Sequence, residues 1–318
     1  MENNTHIQPS MYKNKVALAT SNYGTLSVIL WLRQQGFLNG VLLYGMKGQE
    51  RAQFEAQLTG SAIPFVYAEN NDEETVKHLD NWQTELLIVF NCGTILPERI
   101  FTFPTFGTIN LHAAGLPDYR GPHPIYWQIR NAEKTLKLTA HRVTKKVDSG
   151  NIVAQLSIDI GKYDTHQTLL GKVLQHTPSL LEQLFFLDLC IDKTPGKKQL
   201  ERTTKSAPRV TQQDLFIDWK NVTAKTLCNQ VRAGNPIYGG AIISLGESNA
   251  QLLQASIVST PTYGAKPGTI IHISPEQGVF VALKEDVIRL DIVANSEGVF
   301  DGYRFSQVFG LKTGMQFN

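Results

Sequence analysis

The feature that most constrains the fold is an alternation, running through the first ninety residues, between short apolar runs and longer stretches with helical spacing. KVALAT (15–20) and GVLLY (40–44) read as buried strands. Between them Leu26, Ile29, Leu30 and Leu32 give a helical pattern, and Gly36 stops it. The alternation continues through a helix at 48–59, the strand-like IPFVYA at 63–68, a polar helix at 72–82 and the strongly apolar LLIVFN at 86–91. A β-α-β series of this kind builds a largely parallel sheet flanked by helices. GTINLH (107–112) and TAHRV (139–143) add strands, and Leu169, Val173, Leu180 and Leu184 carry helical periodicity through 165–189. The expected class is α/β, with a Rossmann-like, open, mostly parallel sheet as an N-terminal domain over residues 1–191.

Residues 192–209 (DKTPGKKQLERTTKSAPR) are polar, basic and broken by two prolines, so they read as a linker over the surface. Beyond it the pattern changes. After a helix at 223–233 come short strands (AIISL, QLLQASIV, GTIIHI, GVFVAL, VIRLDIV) between Gly, Pro and Asn turns, which predicts a smaller C-terminal β-barrel, OB-like, over 210–318. With 318 residues, 42% of them hydrophobic, two cores can form without disulfides or metals. Cys92, Cys190 and Cys228 lie far apart without ligand spacing, which fits reduced core thiols of a cytoplasmic protein and no metal centre. The polar N-terminus has no apolar signal region, and no later run approaches the roughly 18 apolar residues of a membrane span. A net charge of +2 gives no field strong enough to point to nucleic acid or an anionic membrane.

Asn110 and His112, two apart in GTINLH, project to one face of a strand near its carboxyl end, where open α/β sheets place ligands. An amide can donate to an oxygen that gains negative charge, and an imidazole can do the same or take a proton from an attacking amine. Taken alone, such a pair serves equally well to satisfy buried backbone. SNYGT (21–25), after the first strand, is a glycine turn able to approach a phosphate or an acceptor backbone.

Further motifs narrow the choice. Asn110-x-His112 is followed by Leu116-Pro117-Asp118-Tyr119-Arg120-Gly121 and then by Asp148-Ser149-Gly150. This combination resembles the 10-formyltetrahydrofolate-dependent formyltransferase family, of the methionyl-tRNA formyltransferase type. ILP at 95–97, FIDW at 216–219, VRAGNP at 231–236 and PGTI at 267–270 extend the resemblance over most of the chain. It implies a metal-free transfer from 10-formyltetrahydrofolate to an unprotonated amine, with Asn110, His112 and Asp148 catalytic. In family terms Asn110 stabilises the oxyanion, His112 polarises the formyl oxygen or takes the amine proton, and Asp148 orients the imidazole and raises its pKa. The resemblance further implies cofactor contacts from Thr94, Ile95 and Leu96 and from the loop Thr144, Lys145, Lys146 and Val147. Tyr119, Arg120, His123 and Tyr126 are the candidates for binding substrate. Arg120 is expected to brace its loop, Trp127 to pack in a core, and His141, on the TAHRV strand, to be a half-buried, hydrogen-bonded histidine. Where most members read His-x-Ser-Leu-Leu-Pro, this chain has His112-Ala113-Ala114-Gly115-Leu116-Pro117, which reshapes the loop.

The acceptor divides the family. Methionyl-tRNA formyltransferases usually carry an extended Gly/Arg/Lys-rich loop after the second strand, whereas YGMKGQERAQFEAQL (44–58) is short and of mixed charge. Residues 210–318 hold eight Lys and Arg against nine Asp and Glu, so they offer no basic platform for tRNA. HRVTKKVDSGNIVAQLSIDI, HQTLLGKVLQHTPSLLEQL and LKTGMQFN are similar to the formyltransferase domain acting on UDP-4-amino-4-deoxyarabinose. That family has Arg directly after Tyr-Arg-Gly where this chain has Pro122. The implied partner is a small-molecule amine on a nucleotide-linked sugar. Methionyl-tRNA is the alternative, followed by an amino acid or carrier-tethered amine and, from another class, a non-catalytic folate-binding protein. The linker lysines Lys193, Lys197, Lys198 and Lys205 read as solvated charge, and a homodimer is the assembly the reading allows for.

Overall fold

The computed structural model describes residues 12–68, 71–187, 196–200 and 205–318. Cys190 and Lys193 lie outside the described residues. The chain divides into two compact units, one of residues 1–122, 136–158 and 171–206, the other of 123–135, 159–170 and 207–318. The second unit therefore draws in two segments from far upstream of the expected linker.

The first unit is built on a seven-stranded sheet. Its strands are β1 (Val16–Thr20), β2 (Leu38–Leu43), β3 (Phe65–Tyr67), β4 (Leu86–Phe90), β5 (Thr108–His112), β6 (Thr135–Arg142) and β7 (Ile152–Asp159), in the order β3-β2-β1-β4-β5-β6-β7. The first five run parallel, and β6 returns antiparallel to β5. Every residue of β1 and of β4 is buried, as expected for central parallel strands covered on both faces. The intervening helices are α1 (Leu26–Gln34), α2 (Gly48–Gly60) and α3 (Asp72–Asn81). Helix α3 starts where Asn71 accepts a hydrogen bond from the Glu74 amide, with Asp72, Glu73 and Glu74 complementing the positive helix end. One apolar layer gathers Ala17, Leu42, Tyr44, Leu79, Leu87, Val89, Leu96 and Ile100.

β1 pairs with β2 on one side and β4 on the other, so the strand order reverses between β1 and β4. Open α/β sheets place their ligand crevice beyond the carboxyl ends of the strands at such a reversal. Here the two strand ends are tied together. The Ser21 amide and hydroxyl both donate to the Asn91 carbonyl, at 3.2 and 3.1 Å, and the Gly93 amide donates to Ser21 Oγ at 2.7 Å.

Short helices not expected from the sequence follow: α4 (Glu98–Phe101) in the first unit and, in the second, α5 (Pro124–Arg130), whose Pro124 stands at the first helical turn where a missing N–H costs nothing. Helix α6 (His166–Phe186) runs on through Pro178, and α7 (Gln212–Leu215) opens the stretch after the linker region. α8 (Ala224–Gly234) is capped by Thr223, which accepts from the Thr226 amide. An antiparallel sheet follows, with strands β8 (Ala241–Leu245), β9 (Ser248–Val258), β10 (Ile270–Ser274), β11 (Gly278–Ala282) and β12 (Val287–Asn295) in the order β10-β11-β12-β9-β8 and β13 (Gly298–Asp301) on β12. α9 (Gly302–Val308) closes the series. Its core joins Trp219, Leu227, Leu252, Ile270, Val281, Ile288 and Phe305, and Trp219 stacks on Phe317 with ring centres 5.5 Å apart.

The expected 192–209 linker is not purely a surface segment. Gln199 is 6% exposed and Ala207 wholly buried. Among the described residues no helix is long and apolar enough to cross a membrane.

In β2 the indole of Trp82 lies directly on Gly40, where an added Cβ would come within 2.2 Å of the ring. Gly40→Ala is expected to lower stability by about 1–3 kcal/mol through overpacking, read as a lower urea midpoint at unchanged slope.

Candidate active site

Strand register brings the reacting residues together. On β5, Asn110 lies opposite His141 of β6, and His112 opposite Thr139. Asp148 follows in the loop between β6 and β7, at a φ of 51°. A left-handed conformation is costly for a residue with a Cβ and persists only where its surroundings hold it. Here they do. Arg120 Nε and Gln199 Nε2 donate to the Asp148 carbonyl at 3.0 and 2.9 Å, and the Gly121 amide donates to Asp148 Oδ2 at 2.9 Å. Gln199 Nε2 also reaches the Gly150 carbonyl at 2.7 Å, while its Oε1 accepts from Arg120 Nη2 at 2.6 Å. Gly150 is obligatory: a Cβ there would lie 1.9 Å from the Arg142 carbonyl oxygen.

The carboxylate sits between two buried histidines. His112 Nδ1 is 3.7 Å from Asp148 Oδ2, and His141 Nε2 is 3.5 Å from Oδ1. Asn110 Nδ2 donates to Asp148 Oδ1 at 3.3 Å and lies 3.1 Å from His141 Nε2. An amide turned the other way would set its oxygen against the carboxylate. His141 Nδ1 donates to the Arg142 carbonyl at 2.9 Å. At 2% exposure His141 is fully buried, not half-buried as expected from its strand position.

Burial would raise the Asp148 pKa, but His141, His112 and the Gly121 amide together hold it down at about 2. For His112 the balance is reversed. Burial pushes its pKa below the usual histidine value and outweighs Asp148 and the Tyr119 carbonyl, which favour the charged ring. The expectation of a raised pKa is thereby corrected. Near neutral pH the ring is uncharged, with Nε2–H donating to the Tyr119 carbonyl at 2.8 Å and the unprotonated Nδ1 facing Asp148. A proton arriving at Nδ1 would be stabilised by that carboxylate. The altered Ala114-Gly115 turn is anchored from behind by Thr139 Oγ1, which donates to the Ala114 carbonyl at 2.6 Å.

The two loops expected to meet a cofactor are joined by an ion pair between Lys145 Nζ and Glu98 at 2.9 Å. Both carry solvent-facing apolar groups, Ile95 at 76% and Val147 at 49% exposure, beside exposed Thr94, Thr144, Lys145 and Lys146. Leu96 instead points into the core. Next to this stretch Asn91 Nδ2 is buried without a hydrogen-bond partner among the described residues.

Of the four residues expected to bind substrate, Tyr119 and Arg120 lie in this unit. Arg120 is committed to Asp148 and Gln199, and the Tyr119 ring is buried with Lys205 Nζ 5.6 Å from its centre. His123 and Tyr126 belong to the second unit. His123 Nδ1 accepts from the Val210 amide at 2.8 Å, and its ring packs 5.5 Å from Tyr238. Tyr126, expected at a pocket wall, is wholly buried, with its hydroxyl donating to the Asp214 carbonyl at 3.0 Å. Trp127, expected in the core, is the partly exposed one, its indole donating to the Pro208 carbonyl at 2.8 Å.

Two residues of the cluster escape a reading of the sequence. His141 carries a usable signal only once β5 and β6 are in register, because its partner Asn110 stands 31 positions away. Gln199 has none: it sits in a polar, basic stretch like any solvated linker residue.

Two family models match the chain, one described as formyl transferase over residues 39–184 and one as formyl transferase, C-terminal domain, over 209–299. A methionyl-tRNA formyltransferase of Staphylococcus epidermidis is 30% identical over 234 residues, 73% of this chain and 74% of its own. Among solved structures, the N-formyltransferase from Helicobacter canadensis in complex with folinic acid and dTDP-3-aminofucose shares the fold, with a TM-score of 0.62 and 18% identity over 90% of this chain and 99% of that one. HypX from Aquifex aeolicus in complex with tetrahydrofolic acid does so at a TM-score of 0.60 and 16% identity. The match covers 93% of this chain and 47% of HypX, so this chain spans about half of that protein.

Gln199→Leu removes the donor to two carbonyls and the acceptor for Arg120. Each buried group left unpaired costs about 1–3 kcal/mol, so the variant should melt at a clearly lower temperature. The His112 pKa is lower folded than unfolded, so below an unfolded value of about 6.5 the unfolded chain binds the proton first and stability falls. Replacing His112 with Asn should flatten the loss of urea resistance just below that pH; an unchanged profile would assign the loss to other groups.

Proposed function

Because the chain belongs to the formyl transferase family, we propose that it moves the formyl group of 10-formyltetrahydrofolate onto a primary amine of a small biosynthetic acceptor, an amino sugar carried on a nucleotide. The observation that carries formyl transfer is the meeting of Asn110, His112 and Asp148 at the carboxyl end of β5, beside the strand-order reversal. The donor set suits a folate: exposed apolar Ile95 and Val147 stand on two linked loops able to receive a flat ring. No step of this transfer calls for a metal.

When bound, 10-formyltetrahydrofolate would supply the formyl carbon: a bond to the amine nitrogen forms, the bond from that carbon to N10 breaks with its electron pair left on N10, and the proton shed by the amine is passed by His112 to N10. The chain's own groups manage the charge. His112, neutral and with Nδ1 facing Asp148, takes the proton that the amine sheds. Asp148, ionised at neutral pH, stabilises the imidazolium so formed. Asn110 holds the carboxylate in place between the two histidines. Arg120 and Gln199 fix the loop from behind and act through Asp148.

The near-neutral balance of residues 210–318 supports a small acceptor over tRNA, whose affinity rests on phosphate contacts. So does the fold shared with an enzyme crystallised with dTDP-3-aminofucose. Methionyl-tRNA is the second reading, favoured by the identity to the Staphylococcus epidermidis enzyme.

Incubation with 10-formyltetrahydrofolate and a panel of amines, following tetrahydrofolate release, tests the proposal. Amino-sugar nucleotides should drive release and His112→Asn should slow it by ~10²-fold or more. Efficient formylation of initiator methionyl-tRNA with amino-sugar nucleotides inert would overturn the choice of acceptor. Release with no amine at all would overturn transfer itself.

A further inference from the structure

The antiparallel pairing of β5 and β6 fixes which side chains share the face of the reacting centre. Asn110 lies opposite His141 and His112 opposite Thr139, so these four project to one side of the sheet. Lys137, two positions from Thr139 on β6, projects to the same side. His141 and Thr139 are buried, whereas Lys137 and Thr135 are exposed, so the face that carries the reacting residues opens to solvent at Lys137. The opening lies beyond the carboxyl end of β5, where open α/β sheets place ligands.

Three cations stand on β6 and in the Tyr-Arg-Gly motif. Arg120 is committed to Gln199 and the Asp148 carbonyl, and Arg142 Nη1 donates to the Phe106 carbonyl. Lys137 is the third, and among the described residues no carboxylate pairs with it. Its stem has a defined neighbour in the altered turn after His112. A Cβ added at Gly115 would lie 3.4, 3.5 and 3.7 Å from Lys137 Cδ, Cβ and Cγ. The Gly115 backbone is not left-handed, so its conformation does not demand glycine; its bareness instead lets the lysine stem lie against the turn. The turn itself is pinned to the strand. Thr139 Oγ1 donates to the Ala114 carbonyl and accepts from Gln155 Nε2 at 2.9 Å.

We propose that Lys137 is a specificity-determining residue, its ammonium binding the phosphate of a nucleotide-linked acceptor. This rests on the reading of the acceptor as an amino-sugar nucleotide. Lys137 stands about 7 Å along the strand from the residue opposite His112, comparable with the span from a ring amine to the phosphate on the anomeric oxygen of the same sugar. With the amine at His112, the phosphate comes within reach of the lysine. An ammonium suits that task, being a compact point charge with three donors that meets phosphate without a fixed geometry.

Lys137→Met keeps an apolar stem and removes the charge, and Gly115→Leu crowds the stem from the turn. Calorimetry with UDP and dTDP, which carry the phosphates but no amine, reads the subsite without turnover. Affinity should fall about tenfold in Lys137→Met and fall in Gly115→Leu as well. In turnover, KM for an amino-sugar nucleotide should rise by a similar factor in Lys137→Met, with the loss in KM and not in kcat. The KM of the unaltered protein should climb with added salt more steeply than that of the variant. The same amino sugar without its nucleotide should be formylated equally well by both. No binding of UDP or dTDP by the unaltered protein, unchanged affinity in Lys137→Met, or an equal loss for the free amino sugar would each overturn the assignment. A loss of UDP or dTDP affinity in Lys137→Met, in a protein that releases no tetrahydrofolate with any amine, would leave the phosphate contact standing and overturn the transfer reading instead.

Discussion

A buried carboxylate has to be held in place, and the way Asp148 is held organises the whole edge of the first sheet. Its backbone is left-handed, its side chain is nearly out of water, and its charge persists because each oxygen has hydrogen-bonding or polar neighbours. Three separate stretches converge on it: Arg120 and Gly121 from the loop after β5, His141 from β6, and Gln199 from the region expected to be a linker. Loss of any one leaves a buried acceptor or charge exposed to a low-dielectric interior, where the penalty is largest. The Tyr-Arg-Gly and Asp-Ser-Gly motifs are therefore two halves of one clamp. The first supplies the guanidinium and the amide, and the second supplies the carboxylate and the glycine that lets the chain pass the Arg142 carbonyl.

What the sequence made legible follows from which forces are local. Buried parallel strands announce themselves as continuous apolar runs, and β1, β2, β4 and β5 fall within two residues of where the hydrophobic pattern puts them. Helix α5 was hidden because two prolines in GPHP read as a rigid turn, although Pro124 starts a helix as readily as it ends one. Strand β7 was hidden for a different reason. Five of its eight residues are partly exposed, two more are exposed and Ile158 alone is buried, so the segment gives neither an apolar run nor a clean alternation.

The candidate site divides along the same line. Asn110 and His112 are adjacent on one strand, so spacing alone aligns them. His141 and Gln199 enter through strand register and chain return, which no short window contains. Tyr126 and Trp127 exchanged their expected environments because the aromatic that is sequestered depends on the face that α5 turns inward, and a seven-residue helix offers too few turns to show that face as a pattern.

The protonation of His112 shows why composition of a site is a poor guide to its charge. A carboxylate nearby argues for an imidazolium, and Asp148 does pull in that direction. The ring, however, is almost wholly out of water, and at 3.7 Å the carboxylate is too distant to repay the loss of hydration. The result suits a base better than a permanent cation would. A ring already charged could take no proton from an amine, whereas a neutral ring with its open nitrogen turned toward an ionised carboxylate gains most of its stabilisation when the proton arrives. The price of enclosing Asp148 is thus recovered at the moment of proton transfer, and the same clamp that fixes the carboxylate sets the basicity of the histidine beside it.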